Sequence, residues 1–306
     1  MKKLLLLLSA FVLVFPMASC HADKPDFSGY GDDKEYGKDP VSVIPAKGFK
    51  LMSFNVRYQN SSDEQAGNGW SKRREGVYEM LRTEQPLLMG VQECLNAQRY
   101  DIVSNVPKYD AIGIGRDDGK EKGEMMAIFY LRDSVTILDW GTFWLSTTPD
   151  QPGKGWDAAC NRTCTWARCK HKRLGKEFFY FNTHLDHKGT TARIEGMKLI
   201  VAKMEELNPG GLPCILTADF NSQDNSEVFT PLQGKMQNAR RTAPRSDTYA
   251  TYNGFTSANK GESSIIDHIF YSGFTATEYK TVRDGWKNID FISDHFPVYA
   301  ILTFNN

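Results

Sequence analysis

Polar residues stand at the ends of short apolar runs throughout this chain, and this placement strongly constrains its fold. The residues that end or precede such runs are Asn55, Glu93, His184, Asp219 with Asn221, and Asp294 with His295. A carboxylate or imidazole at the end of a buried strand must be solvated, paired or bound to a metal. The repeated placement therefore predicts that several strand ends converge on one acidic pocket suited to a metal ion.

The first 46 residues have the composition of an export leader followed by a tether. A basic start, the apolar stretch Leu4–Val14 and a run ending in small residues predict a signal peptide over 1–19, too short to span a membrane. Cys20 directly after it resembles a bacterial lipobox, which implies a lipid-anchored protein on the periplasmic or cell-surface side of the outer membrane. Cleavage without lipid is the alternative. Residues 20–46, rich in Asp, Lys, Gly and Pro, predict a flexible tether.

Residues 47–306 have the length of one large domain. The whole chain has 37 basic and 37 acidic residues and a formal net charge of +0. This balance provides no electrostatic footprint for long nucleic acid, so nucleic acid remains an open but less favoured substrate. We expect a monomer.

The cysteines allow two interpretations. Cys160, Cys164 and Cys169 cluster, but their spacing matches no zinc ribbon or finger. A Cys160–Cys164 disulfide is compatible with export, and zinc binding is the alternative. Cys94 and Cys214 lie in apolar runs and are expected to be buried thiols.

The hydrophobic pattern predicts many strands and two helices. A helix over 71–84 begins at Ser71 as its N-cap, and a second covers 191–207. Apolar runs predict strands at 48–56, 87–93, 109–114, 125–131, 134–145, 163–170, 177–184, 213–219, 264–271 and 296–303. Because strands and helices do not alternate regularly, the pattern favours an α/β (α+β) fold over a doubly wound sheet. We predict a four-layer αββα sandwich, with two mixed β-sheets packed face to face and helices outside.

Two strand ends are suited to a hard cation and to phosphate chemistry. Glu93 and Asn55 offer an all-oxygen pair of the kind that Mg²⁺ prefers, with Mn²⁺ as an alternative. Asp219 and Asn221 are two residues apart in an extended segment, so they face the same side. The alternative for this second pair is an Asx-turn at the strand end.

His295 is the candidate catalytic histidine. It follows Asp294 and precedes a Pro-led strand, and Asp267 stands upstream between apolar neighbours. A buried carboxylate is costly unless it is paired. An Asp267–His295 pair would set the imidazole tautomer and raise its basicity.

These segments, in this order, resemble the endonuclease/exonuclease/phosphatase superfamily over residues 48–303. Its members include deoxyribonucleases, sphingomyelinases, deadenylases and inositol-polyphosphate phosphatases. The resemblance implies a metal pair of Asn55 and Glu93, a water-orienting Asp219 and a catalytic His295 paired with Asp267. It also implies phosphate contacts from Tyr130, His184 and Asn221, and a second metal or water ligand in Asp294.

Two further segments, 69–74 and 155–159, resemble a bacterial subgroup of this superfamily. The second is followed by Arg162, whose guanidinium could bind an anionic substrate. Trp70 and Trp156 are candidates to line a cleft for a sugar or base, and core packing is the alternative for both.

The resulting prediction is a metal-dependent phosphoester hydrolase, acting as phosphatase or phosphodiesterase. Its substrate would be a phosphorylated small molecule or a phosphodiester. The alternatives are an extracellular nuclease and a catalytically silent surface lipoprotein that binds a glycan or a lipid headgroup.

Overall fold

The computed structural model describes residues 48–305, and its central strands alternate between two buried environments. In strand β1 (Phe49–Asn55), Phe49 and Leu51 belong to one hydrophobic cluster, whereas Met52 and Phe54 belong to another. Successive side chains of a strand face opposite sides of its sheet. Both faces of β1 are therefore covered, as a central strand of a layered fold requires.

The elements follow the predicted segments closely. In the described part of the chain the strands are β1 (Phe49–Asn55), β2 (Leu88–Cys94), β3 (Tyr109–Ile112), β4 (Met125–Leu131), β5 (Val135–Trp144), β6 (Thr163–His171), β7 (Glu177–His184), β8 (Cys214–Asp219), β9 (Gln237–Asn238), β10 (Arg245–Ser246), β11 (Asp267–Ser272), β12 (Phe274–Thr281) and β13 (Val298–Phe304). The helices are α1 (Ser61–Gln65), α2 (Trp70–Glu84), α3 (Asn96–Asn105), α4 (Thr190–Leu207) and α5 (Ala239–Thr242), with 3₁₀ turns at Glu227–Leu232 and Glu262–Ser264.

The strands form two mixed sheets. The first sheet has the order β10-β12-β13-β1-β2-β4-β3, and the second has the order β5-β6-β7-β8-β11-β9. Each contains a central parallel pair, β1 with β2 and β7 with β8, flanked by antiparallel partners. Side chains of α2 and α3 pack on the outer face of the first sheet, and side chains of α4 pack on the outer face of the second. The predicted four-layer αββα sandwich is confirmed.

The space between the sheets is apolar at one end and polar at the other. Its apolar part contains Leu51 and Leu88 of the first sheet and Phe178 and Ile215 of the second. Further along the same strands the facing side chains become Ser53, Gln92, Asn182 and Thr217, all fully buried. Buried polar groups are tolerated only when they are hydrogen-bonded. The sheets therefore meet through a polar network at the end where the strands carry the candidate site residues.

That network joins the two sheets directly. Tyr180 Oη accepts a hydrogen bond from Gly90 N at 2.8 Å and donates one to Met52 O at 3.1 Å. Asn182 Nδ2 donates to Val91 O and Ala127 O, at 2.9 and 3.0 Å. Since these bonds cross from one sheet to the other, they define how the two sets of strand ends face each other.

Both predicted helices form, although the first begins differently from the prediction. Helix α2 begins at Trp70 with Gly69 as its N-cap, so the prediction of Ser71 as N-cap is wrong. Ser71 lies inside the first turn, and its hydroxyl donates to Glu64 Oε2 at 2.7 Å instead. The sequence pattern missed α3 and β12, because neither has a clean amphipathic period. Between residues 48 and 305, no helix is both long and apolar enough to cross a membrane.

The cysteines in the described residues are free thiols, so the Cys160–Cys164 disulfide is absent from this structure. Cys94 and Cys214 are buried as expected, and so are Cys164 and Cys169. The predicted leader, Cys20 anchor and tether lie outside the described residues.

Candidate active site

Strand direction brings the candidate side chains to one edge of the sandwich. The carboxyl ends of parallel strands meet at the same edge, so Asn55 lies beside Gln92, and His184 beside Asp219. β11 runs antiparallel to β8, which places Asp267, its first residue, opposite Asp219. β13 runs antiparallel to β1, so the segment that precedes it reaches the same edge with Ser293, Asp294 and His295. The predicted convergence is present in the fold.

Asn55 links two carboxylates from different sheets. Its Nδ2 donates to Glu93 Oε1 and to Asp219 Oδ2, both at 3.0 Å. Its Oδ1 accepts from the backbone N of Arg57 at 3.0 Å, which fixes the orientation of the amide. In this arrangement Asn55 positions the two carboxylates, and its oxygen is directed away from them. This differs from the predicted role of Asn55 as an oxygen ligand, which would require the amide to turn.

Glu93 and Asn221 adopt unusual backbone conformations at this edge. Their φ values are 57° and 49°, in the left-handed region that non-glycine residues seldom occupy. Such conformations persist where the surrounding structure imposes them, and they cluster at functional sites. Glu93 also lies where the pairing of β2 with β4 shifts register, between Val91 and Cys94.

His295 and Asp267 form the predicted buried pair. His295 Nδ1 lies 2.8 Å from Asp267 Oδ2, and His295 Nε2 lies 3.7 Å from Asp219 Oδ2. Burial alone would lower the pKa of His295, but the carboxylates of Asp267 and Asp219 outweigh it and raise the pKa well above 6.5. The geometry therefore directs Nε2 at Asp219 and favours the imidazolium.

Asp219 lies at the centre of the site, and its pKa is raised. Burial, followed by repulsion from Asp267, raises its pKa to about 7. Its Oδ2 also lies 3.3 Å from His184 Nε2, and its Oδ1 accepts from Asn221 N at 2.9 Å. A carboxyl group with a pKa near neutrality is suited to accepting and releasing a proton.

His184 and Asn221 are brought together as predicted. Asn221 Nδ2 lies 3.0 Å from His184 Nε2 and donates to Leu185 O at 3.0 Å. Burial, together with the positive charges of Arg162 and Arg116, lowers the pKa of His184 well below 6.5. These effects favour the neutral form of His184, whereas those at His295 favour the charged form.

Asp294 faces the same pocket as Glu93. Arg57 Nη1 lies 3.8 Å from Glu93 Oε2 and 3.7 Å from Asp294 Oδ2, so both carboxylates face one cationic group. Burial raises the pKa of Asp294, and the neighbouring charge of Glu93 adds to the shift.

The donors at this edge fit a hard divalent cation. Glu93 Oε2 and Asp294 Oδ2 both lie within 4 Å of Arg57 Nη1, and carboxylate oxygens of this kind are the ligands that Mg²⁺ and Mn²⁺ prefer. Asp219, Asp267 and His295 also place ligand atoms within 4.8 Å of one another. In that group, however, His295 Nδ1 is already bonded to Asp267. The Glu93 and Asp294 side therefore fits a metal better.

Tyr130 does not join the site, and the prediction of a phosphate contact from it is wrong. β4 runs antiparallel to β2, so Tyr130 pairs with Leu88, at the opposite end of β2 from Glu93. The start of β4, at Met125, is the end that lies near the site. The run that contains Tyr130 predicted its strand correctly, but the direction of that strand places the hydroxyl at the far edge of the sheet.

Arg162 lies beside the site in a buried polar cluster. Its Nε donates to Asp186 Oδ2 at 3.2 Å, and its Nη2 lies 3.0 Å from His187 Nδ1. Only 4% of Arg162 is exposed, and its Nη1 has no partner within residues 48–305. Cys160, Asp186 and His187 place ligand atoms within 4.8 Å of one another, but Arg162 already contacts the side chains of Asp186 and His187. Among the described residues, Cys160, Cys164 and Cys169 do not form a group of ligand atoms close enough to hold one metal ion, so the zinc alternative, which used these three cysteines, is not supported.

The two tryptophans differ. Trp70 is 4% exposed, belongs to the core under α2, and donates from Nε1 to Asp101 Oδ2 at 2.8 Å. The core-packing alternative therefore holds for Trp70, which also lines a pocket with Tyr100 and Asp101, and its predicted role in substrate binding stays a prediction. Trp156 is 39% exposed on the loop that leads to Arg162, so its role in substrate binding stays a prediction.

The sequence pattern missed charged residues beside the site. Arg57 follows the strand end at Asn55, and Arg116 makes a two-bond ion pair with Glu124, at 2.7 and 2.8 Å. Burial raises the pKa of Glu124 to about 7, and the charge of Glu93 adds to that shift. Arg57 could have been predicted as a site residue, because it lies two residues after the predicted ligand Asn55. Nothing in the local pattern singles out Arg116 and Glu124.

Comparison with known proteins identifies the family. A structure of an endonuclease/exonuclease/phosphatase family protein from Bacteroides thetaiotaomicron is 39% identical, covers 85% of this chain and 98% of its own, and superposes with a TM-score of 0.80. The mannosyl-6-phosphatase of the same species is 40% identical, with coverages of 84% and 100% and a TM-score of 0.78.

A more distant relative comes from a virus. An uncharacterized protein of Acanthamoeba polyphaga mimivirus is 23% identical over 270 residues, which cover 82% of this chain and 99% of the viral one. Residues 52–295 match the family of phosphoester hydrolases described as Endonuclease/Exonuclease/phosphatase family. The chain therefore belongs to the endonuclease/exonuclease/phosphatase family.

Proposed function

We propose that this protein is a Mg²⁺-dependent phosphatase that hydrolyses the phosphomonoester of a phosphorylated sugar. The observation that carries the proposal is the hydrogen-bonded chain from Glu93 through Asn55 to Asp219, beside the Asp267–His295 pair. The phosphorylated-sugar part rests on the 40% identity to a mannosyl-6-phosphatase over that protein's full length. Mn²⁺ is the alternative cation.

Glu93 and Asp294 would hold the ion, with Asn55 completing the site if its amide turns. A bound divalent ion polarises a phosphoryl oxygen and neutralises the charge that develops in the transition state.

The remaining residues act on the water and the phosphoryl group. Asp219 orients the attacking water and accepts its proton at Oδ2, while Asp267 holds His295 so that Nε2 faces this position. The water oxygen forms a bond to phosphorus as the bond from phosphorus to the sugar oxygen breaks, and the departing sugar oxygen takes up a proton from solvent to become a hydroxyl. His184 and Asn221 lie beside Asp219 and are suited to stabilise the phosphoryl oxygens.

Arg162 is placed to bind an anionic part of the substrate. Its guanidinium is held by Asp186 and His187, and Nη1 keeps an unused donor. Although burial alone would raise the pKa of Asp186, backbone N–H groups led by that of Gly189, with Arg162, lower it, so this partner stays ionised. A buried guanidinium donor without a partner is costly, which supports a ligand contact.

The leader pattern supports an exported protein. A lipid on Cys20 would attach the monomeric catalytic domain to the outer membrane, on its periplasmic or cell-surface side. Labelling cells with a radioactive or alkyne fatty acid tests this location. Label should be present on the natural chain and absent from Cys20→Ser.

The activity is tested with a substrate panel. The purified Mg²⁺-loaded protein should release phosphate from mannose 6-phosphate or a related sugar phosphate, and EDTA should abolish release. Asp219→Asn should reduce the rate by at least about 10²-fold, as expected for loss of a general base. Sphingomyelin, inositol phosphates and single- and double-stranded nucleic acid complete the panel. Turnover of nucleic acid alone would refute the phosphatase, and turnover that survives both EDTA and Asp219→Asn would refute the site.

A further inference from the structure

Arg57 occupies a backbone conformation that favours glycine. Its φ is 56°, and it lies two residues after Asn55, the last residue of β1. Glycine adopts this left-handed region without the steric cost that a side chain adds. An arginine held in this conformation beside an active site indicates that its side chain has a role there.

The guanidinium of Arg57 is anchored on one side. Its Nε and Nη2 donate to Asp63 Oδ2 and Oδ1, at 2.8 and 3.3 Å. Asn60 holds that carboxylate, because its Nδ2 donates to Asp63 Oδ2 at 2.6 Å and its Oδ1 accepts from Asp63 N at 2.8 Å. The short helix α1 thus serves as a support that orients the guanidinium plane.

The other side of the guanidinium faces the site. Nη1 lies 3.8 Å from Glu93 Oε2 and 3.7 Å from Asp294 Oδ2, beyond hydrogen-bonding distance from either. The side chain of Arg57 as a whole is 25% exposed. Within residues 48–305 the guanidinium donates hydrogen bonds only from Nε and Nη2, so Nη1, which lies beside Glu93 and Asp294, keeps its donors for a ligand.

We propose that Arg57 binds a phosphoryl oxygen of the substrate through Nη1, and that Asp63 positions it. The inference rests on the proposed phosphatase function, and it assigns a substrate-binding residue outside the set predicted from the sequence. A guanidinium fixed by one carboxylate pays little further conformational entropy when it binds a second anion. Its charge beside Glu93 and Asp294 also offsets repulsion between these carboxylates and an incoming phosphate.

A purely electrostatic role is the rival explanation. If Arg57 only balanced the charge of Glu93 and Asp294, its removal would tighten Mg²⁺ binding and leave phosphate binding unchanged at saturating Mg²⁺. If it binds the phosphoryl group, phosphate affinity falls even when the metal site is full. Measuring the two affinities separately distinguishes the roles.

The test is calorimetric titration of inorganic phosphate into the Mg²⁺-saturated protein. Arg57→Gly is the informative variant, because glycine adopts φ 56° without steric strain; relief of this strain opposes the loss of the ion pair with Asp63, so the Tm should change little. Loss of one charged hydrogen bond should weaken phosphate binding by about 10- to 100-fold. Asp63→Asn should cause a smaller loss and Asp63→Glu should restore part of it, which a merely structural role for Asp63 would not produce.

Arg74→Gln is the matched control. Arg74 carries the same charge at the start of α2 but is exposed and pairs loosely with Asp101 at 3.8 Å. It should change phosphate affinity by less than about threefold, since exposed charges are screened. Equal affinities in Arg57→Gly and the natural protein, or an equal loss in Arg74→Gln, would overturn the inference while leaving hydrolysis intact. A natural protein that neither binds phosphate nor hydrolyses sugar phosphates would instead refute the proposed function as well.

Discussion

Replacing Gly90 with alanine should test whether the polar network between the sheets supports the site. Gly90 lies in β2, three residues before Glu93, and its N donates to Tyr180 Oη at 2.8 Å. A Cβ at this position would lie 2.1 Å from Thr217 Oγ1 and 2.5 Å from Asn182 Oδ1. Both distances are far below van der Waals contact, so at least one of these buried side chains must move.

The expected loss of stability follows from two effects. Overpacking a well-packed interior costs about 1–3 kcal/mol. Moving Asn182 breaks its bond from Gln92 Nε2, now 2.7 Å long, and a buried group left without a partner costs about 1–3 kcal/mol more. The free energy of unfolding should fall by roughly 2–6 kcal/mol, and the Tm by about 2–4 °C for each kcal/mol.

Thermal and urea denaturation measure the change. Gly210→Ala is the control, because no atom lies within 4 Å of the added Cβ, and its stability should stay close to that of the natural protein. In Gly90→Ala with Thr217→Ala the nearest clashing atom is absent, so the double variant should lose less than the sum of the single variants. Two results would refute this reasoning: a fall in the free energy of unfolding of less than about 1 kcal/mol for Gly90→Ala, or fully additive effects of the two substitutions. Either would show that the side chains between the sheets rearrange around the added methyl group without a loss of stability.

Two further predictions concern buried histidines. Asp267→Asn removes the nearest carboxylate from His295, so the pKa of His295 should fall in an NMR titration of its ring, and the hydrolysis rate should fall by about 10²- to 10⁴-fold; an unchanged pKa would contradict the pairing. Burial lowers the pKa of His268 from 6.5 to about 4, although its bond to Ser222 O opposes the shift. Between pH 6.5 and pH 4, His268 is therefore protonated in the unfolded state but neutral in the folded state. The free energy of unfolding should fall by roughly 3 kcal/mol as the pH drops through this range. In His268→Phe, which keeps an aromatic ring beside Phe220 and Phe229, urea denaturation across this range should show a flatter pH dependence; an equal slope would contradict the assignment.

The strand ends could be predicted from the sequence, because polar side chains must be solvated and therefore stand where an apolar run stops being buried. Asn55, Glu93 and Asp219 each end a run that is buried in the structure, so solvation costs alone identified them. Asp267 and His295 could be paired in advance, because a carboxylate among apolar neighbours requires a partner. The order of these segments along the chain also predicted the family and the four layers.

Only the tertiary structure decided which strand ends share an edge and which side chains reach the pocket. Tyr130 has the same local pattern as the residues that converge at the candidate site, but the antiparallel direction of β4 places it at the far edge of the sheet. Trp70 is buried because α2 packs its first turn on the first sheet, which composition does not reveal. Arg57 faces the site for two reasons. Its own backbone is in the left-handed region, and Asp63 holds its guanidinium near Glu93 and Asp294. Hydrophobic period is a property of neighbouring residues, whereas strand direction and loop conformation depend on contacts between residues far apart in the chain.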